Sequence, residues 1–164
     1  MRLVVVMALE LTPLPYRPNV QMIIFRGDGK ILLIDESNEK EILWKFPQGG
    51  MEKGENELET VQRELKEEVN ITDYTIIREA SFRNHYDWIP LMQQAKGFRG
   101  NEQTIFLIHA TNSQQTKITE KKIISFEWVT FEQALNKFQI PNQIESAKKA
   151  WNEFKPIVER KIGK

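Results

Sequence analysis

Six short runs rich in β-branched and aromatic residues share this chain with three runs of helical period, and that mixture most narrows the folds open to it. The strand-like runs are residues 3–9, 20–25, 31–34, 75–82, 104–110 and 123–129. Gly27-Asp28-Gly29 separates the second from the third and predicts a hairpin turn. Helical period covers residues 58–69 and, more weakly, 131–138. A longer run follows Pro141, where Ala147, Ala150, Trp151, Phe154 and Val158 recur at three- and four-residue steps, with Pro156 at a kink or a break. No repeat or low-complexity run divides the chain. The expectation is an α+β fold, a mixed sheet sandwiched by helices, in one domain over residues 1–164.

A chain of 164 residues buries roughly two thirds of its unfolded surface, so it needs neither metal nor disulfide to fold. Any metal therefore serves function. The absence of Cys excludes a disulfide framework, thiolate zinc sites and a cysteine nucleophile, and fits a reducing compartment. Two His, His85 and His109, cannot build a His-rich cage, and neither pattern gives them a catalytic role. With 23 basic and 23 acidic residues, the chain lacks the cationic excess of a sequence-indifferent nucleic-acid binder. A short, phosphate-rich ligand stays open. Residues 3–9 are too few to cross a bilayer and lack a signal-peptide cleavage pattern, so a cytoplasmic protein without a membrane partner is expected.

Chemistry concentrates in WKFPQGGMEKGENELETVQRELKEEVNI, residues 44–71, where a Gly-rich loop runs into an acid-rich helix. At about 100° per residue, Leu58, Val61, Leu65 and Val69 fall within about 80° and predict the buried face. Glu64, Glu67 and Glu68 occupy a neighbouring sector about 110° away. Like charges at these spacings destabilise a helix unless something positive sits among them, and all-oxygen donors of this kind suit Mg²⁺ or Mn²⁺. The same acids also fit a solvated helix face. Gly49, Gly50 and Gly54 permit close main-chain approach to a ligand, Pro47 stiffens the entry, and Arg63 is placed to hold an acid, Glu55 or Glu67, by charge-assisted bonds.

This segment resembles the Nudix box: Gly, five residues, Glu, seven residues, then Arg-Glu-aliphatic-x-Glu-Glu-x-Gly-aliphatic. Gly49, Glu55, Arg63, Glu64, Leu65, Glu67, Glu68 and Ile71 match. Asn70 stands where the pattern has Gly, and Asn is the other residue at ease in the left-handed conformation that ends helices. Tyr16-Arg17-Pro18-Asn19-Val20 and Trp44-Lys45-Phe46-Pro47-Gln48-Gly49-Gly50 are similar to segments of the dinucleoside tetraphosphate hydrolase and RNA pyrophosphohydrolase branch. So, less closely, are Tyr86-Asp87-Trp88-Ile89-Pro90, Lys96-Gly97-Phe98-Arg99-Gly100 and the Gln-x-x-Phe stretch from Gln103 to Phe106.

The resemblance implies a Nudix α/β/α sandwich and Mg²⁺-dependent hydrolysis, Mn²⁺ being a substitute, with water attacking a phosphorus in a polyphosphate chain. Glu64, Glu67 and Glu68 are the implied metal ligands, with Arg63 in the catalytic group and Gly49, Gly50 and Glu55 as motif positions. Glu120, ahead of the last strand, is the implied general base, with Glu102 as a second candidate; an ordinary loop acid fits each of them too. Arg17, Lys45, Lys96 and Arg99 are candidate phosphate partners, since a guanidinium fork matches phosphate oxygens and Lys acts as a point charge. Gln103 and Tyr86 complete the candidate substrate residues, Tyr86 as a stacking partner for a base in a loop at residues 86–90. Trp88 either shares that role or packs beneath the loop, while Trp44, Phe46, Trp128 and Trp151 are expected in the core and Glu57 on the surface.

Asymmetrical hydrolysis of diadenosine tetraphosphate to ATP and AMP is the leading expectation. Removal of pyrophosphate from a 5′-triphosphorylated RNA end is the nearest alternative, and a Nudix nucleotide- or RNA-binding module without turnover is another. Retention of the box carboxylates weighs against the last. The expected partner is thus a nucleotide substrate or an RNA 5′ end, and the oligomeric state is left open.

Overall fold

The computed structural model describes residues 13–163, so the strand expected at residues 3–9 lies outside the described residues. Seven strands form one mixed sheet: β1 (Arg17–Phe25), β2 (Ile31–Asp35), β3 (Trp44–Lys45), β4 (Gln48–Gly50), β5 (Tyr74–Asp87), β6 (Gly100–Ala110) and β7 (Ser125–Val129). Among the described residues four helices accompany it: α1 (Glu57–Val69), α2 (Pro90–Lys96), α3 (Phe131–Lys137) and α4 (Pro141–Ile162). The main order is β3-β2-β1-β6-β5, with β4 paired to β1 and β7 to β2. β1 and β6 run parallel through nine residue pairs from Arg17↔Asn101 to Phe25↔His109, and every other pairing is antiparallel.

Alternation along the strands divides the core in two. Ile23 and Phe25 of β1, Ile31 and Leu33 of β2, and Ile105 and Leu107 of β6 join Phe154, Ala150 and Val158 of α4. The residues between them, Val20, Met22, Ile24, Leu32, Ile34, Phe106 and Ile108, join Val61, Leu65 and Val69 of α1. The carboxylate helix and the long terminal helix therefore lie on opposite faces of one sheet, the sandwich that the sequence predicts.

Several expected boundaries move. β5 continues five residues past Phe82, so Tyr86 sits in a paired strand rather than in a loop, opposite Asn101. Register shifts between Ile76 and Arg78 and between Glu79 and Arg83 break the period-2 pattern that would have signalled this length. β1 begins at Arg17, and β7 begins at Ser125 rather than at residue 123. The two- and three-residue strands β3 and β4 and the seven-residue α2 are too short to produce a period. Pro156 does not end α4, which runs through it to Ile162. Leu58 is 55% exposed instead of buried, and Glu64 and Glu68 take its expected place toward the sheet.

Candidate active site

The helix that carries the acids is fixed at both ends by its own sequence. Asn56 caps its N-terminus, accepting from the Glu59 N–H at 2.8 Å, while Glu59 accepts from the Asn56 N–H at 3.2 Å. At the other end Asn70 adopts φ 57°, ψ 34°, and its N–H reaches the carbonyls of Leu65 and Lys66. Val61, Leu65 and Val69 anchor the helix, and the neighbouring edge brings Glu64 and Glu68 against β4. A Cβ on Gly49 would collide with the Glu64 carboxylate, and one on Gly50 with the Arg17 guanidinium. The paired glycines thus clear opposite faces of one short strand, one for an acid and one for a cation.

Arg63 organises the acids. Its Nε donates to Glu55 Oε2 at 2.6 Å and its Nη2 to Glu55 Oε1 at 2.9 Å and the Gly50 carbonyl at 3.0 Å. Nη1 donates to Glu64 at 2.7 Å and to Glu67 at 3.4 Å. Hydrogen bonds from Arg63 hold the Glu55 carboxyl down at about 2. Burial raises Glu64, Arg63 opposes that, and the charges of Glu67 and Glu120 add to it. Glu68 is 1% exposed, accepts one bond from the Gln48 N–H at 3.2 Å, and has no salt-bridge partner among the described residues. Burial, then the charge of Glu64, pushes its carboxyl up to about 8, with Lys45 and Lys122 pulling the other way.

Among the described residues no three carboxylate or His side chains stand gathered as a metal cage, and Arg63 is paired with both Glu64 and Glu67. The donor set nevertheless fits a hard divalent cation. It is all oxygen, and its most buried member lacks a cationic partner at contact distance.

Glu120 reaches this helix from far along the chain. Lys117 and Thr119 donate backbone N–H groups to the carbonyls of Val69 and Glu68 at 3.0 and 3.5 Å, and the Thr119 hydroxyl donates to the Glu67 carbonyl. Glu120 follows directly. Glu102, the other candidate base, is taken up by Arg83 at 2.9 Å and His85 at 2.8 Å. Lys122 and Glu36 also act electrostatically on Glu68, and neither was marked by any motif or period in the sequence.

The candidate substrate residues separate into groups. Arg17 starts β1, with its guanidinium over Gly50. Lys45 pairs with Glu36, both side chains nearly buried. Arg99 bonds Asp87 at 3.0 Å and lies over the Tyr16 ring, whose hydroxyl donates to Asp87 at 2.6 Å. Lys96 is exposed in the last turn of α2. Tyr86 is half-buried, its hydroxyl accepting from Asn101 Nδ2. Gln103 is 1% exposed and bridges three strands: its amide donates to Asn19 at 3.0 Å and to Gln48, and accepts from Asn84 at 3.0 Å. Trp88 packs edge-on against Phe98, and Phe46 is core as expected. Trp44, Trp128 and Trp151 are only partly buried. Glu57 pairs with Arg83 at 3.4 Å.

An open groove of about 450 Å³ lies between residues 38–42 and the approach to α4, lined by Ile42 and Ile140 with Glu39, Lys40 and Glu41. It adjoins the loop that carries Glu36, the partner of Lys45.

Comparison with known proteins adds four findings. A family profile described as the NUDIX domain matches residues 15–150. The RNA pyrophosphohydrolase of Rickettsia africae is 32% identical over 130 residues, 75% of this chain and 80% of that protein. That of Bartonella henselae is 36% identical over 86 residues, 48% of this chain and half of the relative's length. Among solved structures, the binary complex of a Caenorhabditis elegans Ap4A hydrolase superposes with a TM-score of 0.66 at 21% identity, covering 85% of this chain and 98% of the other, a likeness of fold.

Proposed function

The chain belongs to the Nudix family, and from that membership we propose that it is a divalent-metal-dependent pyrophosphohydrolase acting on the 5′-triphosphate end of RNA. The observation that carries the substrate is the 32% identity to an RNA pyrophosphohydrolase across three quarters of this chain. Diadenosine tetraphosphate, the sequence's first expectation, stands second, favoured by the balance of 23 basic and 23 acidic residues.

Glu64, Glu67 and Glu68 would hold the cation, which when bound supplies charge for the phosphate oxygens and acidifies water. Arg63 keeps Glu64 and Glu67 on one edge of α1, so their charges stay beside β4. Glu120 accepts the proton of the attacking water. Arg17 pairs with phosphate oxygens above Gly50, and water adds across the P–O–P bond between the first and second phosphates, leaving a 5′-monophosphate end and releasing pyrophosphate. The test is parallel hydrolysis of 5′-triphosphorylated RNA and diadenosine tetraphosphate with Mg²⁺, products separated by chromatography, with Glu67→Gln as control. A higher specificity constant for RNA is expected; ATP plus AMP as the preferred products reverses the substrate order, full turnover by Glu67→Gln removes Glu67 from the metal site, and turnover of neither substrate by the native chain sinks the enzymatic reading.

A further inference from the structure

The stretch that carries Glu120 is fastened to α1 at the one box position where this chain departs from the family pattern. Asn70 takes the left-handed backbone a Gly would take there, and its side chain adds a bond no Gly can make: Nδ2 donates to the Gln115 carbonyl at 3.1 Å. Gln115 is itself held on the same turn. Its Oε1 accepts from the N–H groups of Thr72 and Asp73 at 3.2 and 3.1 Å, and its Nε2 donates to Thr72 Oγ1 and Asp73 Oδ2 at 3.1 Å each. Beyond it, Lys117 and Thr119 bond the carbonyls of Val69, Glu68 and Glu67. Those are carbonyls of the last turn of α1, which the helix itself leaves unpaired.

We propose that Asn70 is a positioning residue: with Gln115 it forms a clasp that holds residues 113–119 on the C-terminal end of α1 and so positions Glu120, the residue that follows them. The inference rests on the hydrolase reading and on Glu120 acting in it. Asn70→Gly is the informative variant, because Gly adopts the left-handed conformation freely and keeps the helix end while deleting the clasp. Asn70→Asp keeps the side-chain shape and turns the donor into an acceptor facing a carbonyl.

The experiment measures kcat and KM of the full chain on both probe substrates, 5′-triphosphorylated RNA and diadenosine tetraphosphate. It compares Asn70→Gly, Asn70→Asp, Glu120→Gln and the Asn70→Gly/Glu120→Gln pair, alongside amide hydrogen exchange over residues 113–119. Both Asn70 variants should lower kcat about tenfold with KM unchanged, as loss of an orienting partner does, and should speed exchange at Lys117 and Thr119. Glu120→Gln should cost far less in the Asn70→Gly background than in the native chain, since a displaced group has little left to lose. Unchanged kcat and exchange in Asn70→Gly, or full additivity with Glu120→Gln, overturns the clasp. If Glu120→Gln alone is silent while Glu67→Gln abolishes turnover, the hydrolase reading stands and the clasp has nothing to deliver, which overturns this inference alone.

Discussion

Arg63 shows how one side chain sets the state of its neighbours. It makes two hydrogen bonds to Glu55 and one each to Glu64, Glu67 and the Gly50 carbonyl, so the acids that would repel one another share a counter-charge. The Glu55 carboxyl, held at about 2 against an ordinary 4.5, contributes stability that is present above 4.5 and is lost as pH falls through about 2. Acid unfolding of the native chain and of Glu55→Gln should therefore differ at neutral pH and converge across that window. The glycines give a second test at this scale. Neither Gly49 nor Gly50 has a positive φ, so substitution there acts through space alone. Gly49→Ala should displace Glu64 and lower kcat by about tenfold or more, whereas Gly50→Ala should displace Arg17 and raise KM, a split that steady-state kinetics resolves.

At the scale of elements, α1 is the part most fully expressed in local sequence. Its capping box at Asn56 and Glu59, its left-handed end at Asn70 and its apolar Val61, Leu65 and Val69 all follow from the order of residues within one segment. Leu58 departs from that pattern because the first turn overhangs the sheet, leaving its side chain in solvent. In α4, exposed Pro156 lies mid-helix and offers no N–H to the preceding turn. Pro156→Ala should restore that bond and stabilise the fold by about 1–3 kcal/mol, read by denaturant unfolding, with kcat unaltered because α4 meets the sheet face opposite α1. The strands were less legible. β5 has bulges that interrupt alternation, and β3 and β4 have too few residues to alternate at all, yet β4 is the strand that receives Glu64 and Arg17.

For the molecule as a whole, the sheet decides the chemistry of Glu68 by burying it between α1 and β4. Its folded carboxyl stands at about 8 against an ordinary 4.5, so its contribution to the stability of the metal-free protein is fully present below 4.5 and is lost as pH rises through about 8. With a chelator present, the unfolding midpoint of the native chain should fall between pH 5 and 8 relative to Glu68→Gln. Adding Mg²⁺ should shrink that difference and release a proton, measurable by calorimetry in buffers of different ionisation enthalpy. The order of residues alone determined the acid-rich helix, its caps, the glycines and the two-layered hydrophobic alternation, because helical angles and strand periods are local properties. Only the tertiary structure decided that Gln103 would be buried against Asn19, that Tyr86 would pair with Asn101, and that Lys117 and Thr119, just ahead of Glu120, would bond the end of α1. Those contacts join segments far apart in the chain. They depend on strand register and loop path, which a two-residue period leaves open until packing selects one.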